Sequence, residues 1–142
     1  MTTLSQNQQR EWQAGDTEAY PVVAADIIYQ GAAVGENAAG YSRPLVALDV
    51  FQGFAIGKVD NSTGSAGDKS VDVRTRGRVT LNVAGATAIT ANDRQAVYAS
   101  DDNAFTLTAL NNSLIGYVSR WISSGVCVVE FDAMAVKAAL QV

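Results

Sequence analysis

Histidine is missing from all 142 residues, and the omission removes whole classes of chemistry. Ser-His-Asp and Cys-His nucleophilic sites cannot be assembled, and most zinc sites lose their usual nitrogen ligand. Cysteine occurs once, as Cys127, so no internal disulfide can form. Its place in the apolar run "GVCVVEF" predicts a buried thiol that packs as a small hydrophobe. Lysine is scarce too: Lys58, Lys69 and Lys137 leave a Ser-Lys dyad as the one such arrangement still open, and none has a context that would lower its pKa. Ten Lys and Arg face fourteen Asp and Glu, a net charge of −4. That balance disfavours unspecific nucleic-acid binding, because each phosphate contact needs a cation. No basic segment followed by an apolar core opens the chain, and no run of about eighteen apolar residues follows, so neither a signal peptide nor a membrane span is expected. The expectation is a non-enzymatic protein without cofactor or metal, in the cytoplasm of whatever cell makes it.

What is there divides into three stretches. Residues 1 to 20, "MTTLSQNQQREWQAGDTEAY", are rich in Gln and Asn with Leu4 and Trp12 as isolated apolar anchors, and they read as an arm. "LSQNQQREWQ" could form two or three helical turns, which would order only against something else. Trp12 then either packs on its own domain or anchors in a partner. Residues 21 to 132 change to about eight short β runs separated by turn chemistry, which predicts an all-β domain, a small barrel or jelly-roll-like sandwich. In this reading "LVALDVFQGFAIGKV" is β-forming throughout, and no helix precedes residue 132. Residues 133 to 142 form a tail in which Asp132 caps a short helix that folds back on the barrel or reaches a neighbouring subunit.

Several constellations carry more than one reading. "DNSTGSAGDKS", residues 60 to 70, has the ingredients of a phosphate loop at the wrong spacing: Asp68 stands where a glycine is needed, and "SVDVRTR" follows as a strand where a helix is required. A turn between strands fits better. Asp101, Asp102 and Asn103 lack the alternating ligands of a calcium loop and predict a hairpin turn. Val71, Val73 and Thr75 alternate with Asp72, Arg74 and Arg76, and Val79, Leu81 and Val83 with Arg78, Thr80 and Asn82. Arg74, Arg76 and Arg78 would form a row on one exposed ribbon if Gly77 does not break it. That row is either a solvated face or a strip that docks on an acidic protein surface. Glycines 53, 57, 77 and 116 predict bulges or tight bends in a strongly curved barrel. Tyr117 and Trp121 are expected to share one face, in the core or at a subunit contact.

The segments "IIYQGAAVGENAAGY", "FQGFAIGKVDNSTGSAGDKSVDVRTRGRV", "TANDRQAVYASDDNAFTLT" and "NSLIGYVSRW" resemble those of capsid cement, or decoration, proteins of tailed bacteriophages. The resemblance runs over residues 21 to 132 and is most specific in "DNSTGSAGDKSVDVR" and "ANDRQAVYASDD". It implies a β-barrel on the virion exterior that binds the major capsid protein of an assembled shell, and a homo-oligomer, dimer favoured over trimer. Under it the candidate contacts are Leu4, Arg10, Trp12 and Tyr20 of the arm and Arg74, Arg76 and Arg78 of the strand. The other reading is a β-barrel module for an oligonucleotide or glycan.

Overall fold

The computed structural model describes Thr3, residues 5–11, Gln13 and residues 15–140, the side chains of residues 138–140 excepted. The chain is all-β with a short C-terminal helix, as the strand periodicity predicts. Among the described residues twelve short strands stand where about eight were expected, and they form two β units in sequence order.

The first unit is a five-stranded sheet in the order β1 (Thr17–Pro21), β7 (Ser70–Arg74), β5 (Val50–Ala55), β3 (Ala33–Glu36), β4 (Ser42–Pro44). Val22, just past β1, makes a parallel bridge to Ser42 on β4 and so draws the two edges together. The ribbon β2 (Asp26–Ile28) and β6 (Val59–Asn61) lies beside it. Val22, Ile28, Val34, Val71 and Val73 are fully buried and form its own core cluster. The second unit is a closed barrel of β10 (Phe105–Thr106), β8 (Arg76–Ala84), β12 (Val126–Asp132), β11 (Ser113–Ser123) and β9 (Ala96–Ala99).

A bulge joins the two. Between β3 and β5 the register shifts so that Gly53 faces Val34 and Phe51 faces Gly35, leaving Gln52 unpaired. The extra residue turns Phe51 and Phe54 to the same side of β5. Both rings meet Phe131 of β12, at 6.2 and 4.8 Å between centroids, in edge-to-face geometry. Phe105 of β10 adds a fourth ring 6.0 Å from Phe54. The main core is therefore shared between sheet and barrel.

The ends differ from expectation in informative ways. Strand β1 starts at Thr17, inside the span read as arm, and places Tyr20 opposite Val71. The described arm residues form no helix, in keeping with how marginal so short a helix is without a partner surface. At the other end Asp132 caps the helix α1 (Ala133–Leu140): its Oδ1 accepts from the N–H groups of Met134 and Ala135 at 3.1 and 3.2 Å. Val136 is 2% exposed within the shared core, so the tail folds back on its own body. A 3-10 helix, Ile89–Asp93, stands where no helix was expected. Tyr117 and Trp121 do not share a face. The register shifts at Ser119, so Val118 and Trp121 both turn inward while Tyr117 is exposed, and the indole N–H donates to Ala86 O at 3.0 Å. Cys127 is fully buried, and burial pushes its thiol pKa up.

Candidate docking surface

The loop "DNSTGSAGDKS" is closed by its own side chains. Asp60 accepts from the Ser62 hydroxyl and backbone N–H, which hold its carboxyl below the usual range. Asp68 caps the Ser65 N–H at 2.9 Å, Lys69 donates to Asp60 O at 2.7 Å, and the buried Asn61 amide ties the loop to Val23 O at 3.0 Å. Strand β7 follows at once. The N–H groups and the lysine that a phosphate would need are turned to internal partners, as a turn reading requires. Asp101 likewise accepts from the Asn103 N–H at 2.8 Å in a hairpin turn. Among the described residues no three His, Cys, Asp or Glu side chains gather as metal ligands, and no helix is long and apolar enough to cross a membrane.

The three arginines stay exposed and in alternation, but they do not sit on one ribbon. Arg74 ends β7 in the sheet, and Arg76 and Arg78 begin β8 in the barrel, with the chain crossing at Thr75. The arm arrives at this crossing: Thr75 N–H donates to Asp16 O at 2.9 Å, and the Arg74 guanidinium lies 3.6 Å from the Asp16 carboxylate. Arg78 Nε donates to Glu130 at 3.0 Å. Both pairs are open to solvent, so each contributes little to stability and can exchange partners. Arg76 lines one groove with Arg78, Asp16 and Glu130 and a second, of about 550 Å³ between β1, β5 and α1, where Tyr20, Glu36, Met134 and Lys137 join it over Phe51. Burial first, and the Glu18 charge second, push the Tyr20 hydroxyl pKa up. Arg10 is exposed on the arm, and Leu4 and Trp12 lie outside the described residues.

A contact candidate absent from the sequence reading is Leu48. Val46 to Asp49 form a turn closed by Asp49 N–H to Val46 O at 2.9 Å, which splits the run read as continuous β. Asp49 fixes it: its carboxylate takes both Nε and Nη2 of Arg43, at 3.0 and 2.8 Å, and also the Val46 N–H. Gly35 makes room, since a Cβ there would stand 2.6 Å from Asp49 Cβ. At the third turn position Leu48 has φ +79 and is 68% exposed. Glycine is the usual residue at such a φ, and a bulky side chain is strained there. A strained, rigidly held, solvent-facing leucine is a sign of function. Leu48→Gly is expected to raise stability by about 1 kcal/mol through relief of that strain, read as a higher urea midpoint.

Opposite this turn, Asp102 sits where burial and the neighbouring Asp101 raise its carboxyl pKa. A pKa above the unfolded value means that the unfolded chain loses its proton first as pH rises, so stability falls through that window and stays lower at neutral pH. Asp102→Asn should therefore be more stable than the parent at pH 7. Its advantage should shrink as pH falls through the raised pKa and be gone below the ordinary carboxylate range, a trend that urea titrations across pH 3 to 7 would show.

No protein-family model matches the chain, nor does any curated protein or solved structure.

Proposed function

We propose that the chain is a structural protein of a tailed-phage head, which binds the outer surface of the assembled capsid and cements contacts between major capsid proteins. The observation that carries this reading is the arm. Thr3, residues 5–11 and Gln13 are all exposed and belong to no strand or helix. They are delivered beside the arginines by a turn pinned to Thr75. A rigid β body with such an extension suits a clamp, because a segment that orders on contact can cover a large area of its target. The segments resembling cement proteins and the strained Leu48 support the same reading. The net charge of −4 favours a protein partner over an oligonucleotide.

The mechanism is thermodynamic linkage: a clamp that prefers assembled shell to free capsid protein stabilises the shell in proportion to its occupancy. A clamp spanning two capsid subunits would suit a homodimer. The expected result is co-sedimentation of the chain with assembled heads and not with unassembled capsid protein. Deleting residues 1 to 15 should lower affinity for heads at least tenfold, about 1.4 kcal/mol, with the circular-dichroism melt unchanged. Equal binding to assembled and unassembled forms would overturn the cement reading.

A further inference from the structure

Strand β8 is paired on one side along most of its length and on the other at only two residues. Val83 N–H donates to Gly125 O at 2.8 Å on the β12 side, and Leu107 N–H donates to Ala84 O at 3.1 Å on the β10 side. Along a strand these directions alternate. The backbone groups of Arg78, Thr80 and Asn82 therefore face the β10 side, yet β10 pairs only with Val83 and Ala84. Among the described residues no strand covers that stretch.

A groove of about 340 Å³ opens beside the N-terminal end of this edge. Its apolar surface comes from Phe54, Ile56, Val79 and Phe131, and its charged side chains are Arg74 and Arg78. No carboxylate lines it; Asp16 and Glu130 reach the arginines from outside it. Arg78 gives only its Nε–H to Glu130, and Arg74 holds Asp16 at 3.6 Å, too far for a good hydrogen bond. A guanidinium has five N–H donors in a fork that fits a carboxylate, so most of these donors remain for an incoming anion.

Open backbone groups, an apolar floor and two cations with spare donors define one kind of ligand. We infer that this edge is a β-augmentation site, in which an extended, acidic segment of the protein the chain docks on adds as a strand beside Arg78, Thr80 and Asn82. Main-chain hydrogen bonds supply the attachment, alternate apolar side chains enter the groove, and a carboxylate meets Arg74 and Arg78. The inference rests on the docking reading for the identity of the partner, and on the edge geometry alone for the site.

The test is a nuclear magnetic resonance titration of the full chain with a seven-residue peptide alternating valine and glutamate, beside its valine and lysine counterpart. The glutamate peptide should shift the Arg78, Thr80 and Asn82 amides saturably and slow their hydrogen exchange; the lysine peptide should leave them unmoved. Thr80→Pro removes one outward N–H from an open edge, where proline is tolerated, and should abolish this response. Arg78→Glu keeps the backbone intact and should weaken it at least about fivefold, which keeps the test decisive if the proline variant does not fold. Equal binding of both peptides, or silence at these three amides, overturns the site. The same two variants should lose binding to assembled heads. If the parent and both variants bind heads alike, the site is overturned and the docking reading stands. If the parent ignores heads but takes the glutamate peptide at this edge, the docking reading falls and the site stands. If raising the concentration of the chain alone shifts these amides, and deleting residues 1 to 15 abolishes that shift, the occupant is the arm of a second copy and the acidic partner is overturned.

Discussion

Gly53→Ala is expected to cost on the order of 4 kcal/mol or more, enough to leave little folded chain. A Cβ at this position would stand 2.2 Å from the carbonyl oxygen of Arg74 and 2.9 Å from its carbon. These are backbone atoms of the neighbouring strand, at the point where the chain leaves the sheet for the barrel, so neither side can yield cheaply. Gly53 also has φ +131, which side-chain-bearing residues rarely adopt, and the strain adds to the clash. Moving β5 away to relieve it would withdraw Phe51 and Phe54 from the shared core. Gly57→Ala is the matched control. It has open space around its Cβ position and no φ in the left-handed region, and should change stability by no more than about 0.5 kcal/mol. Urea unfolding of the two variants side by side tests the argument; a Gly53→Ala midpoint close to that of Gly57→Ala would refute it.

Phe131→Ala should cost about 3–5 kcal/mol, the range for truncating a buried phenylalanine. The side chain is 2% exposed, and its ring makes edge-to-face contacts with Phe54 and Phe51. It belongs to the barrel, whereas its two partners belong to the sheet. Truncation therefore removes transfer energy, leaves a cavity, and weakens the join between the units. Two spectroscopic probes should then separate: the Tyr20 environment in the sheet and the Trp121 environment in the barrel would no longer melt together. Coincident melting of both with an unchanged midpoint would show that the aromatic cluster does not couple them.

How much of this was legible in the sequence depends on whether the deciding residue carries a local signal. The alternation from Val71 to Val83 survives intact in the burial pattern, because a period of two is all that a half-buried strand needs. The Asx turns at Asp60 and Asp101 and the cap at Asp132 were readable for a similar reason: short acceptor side chains satisfy nearby N–H groups. The turn at Val46–Asp49 was not, since Leu48 takes a backbone conformation that glycine would normally announce, and what holds it there is Arg43 paired with Asp49. The opposed faces of Tyr117 and Trp121 depend on Ser119 being unpaired, and the transfer of the arginine strand from sheet to barrel happens at Thr75. Neither residue type signals such an event. Of the docking candidates, Tyr20 and Arg76 share one groove, Arg76 and Arg78 a second, and Arg74 and Arg78 a third.

The order of the two units along the chain bears on how the protein is made. Every strand of the sheet and its ribbon lies before Thr75 and every strand of the barrel after it. On the ribosome the sheet can pair as soon as residues 17 to 74 emerge, but Phe51 and Phe54 then lack their barrel partners, Phe105 and Phe131, until both are synthesised. At about 5–20 residues per second that interval is about 3–11 seconds. During it the nascent chain displays two neighbouring phenylalanine rings not yet covered by Phe131. This is the stage at which a chaperone, or a low concentration of like chains, matters most for the yield of native protein.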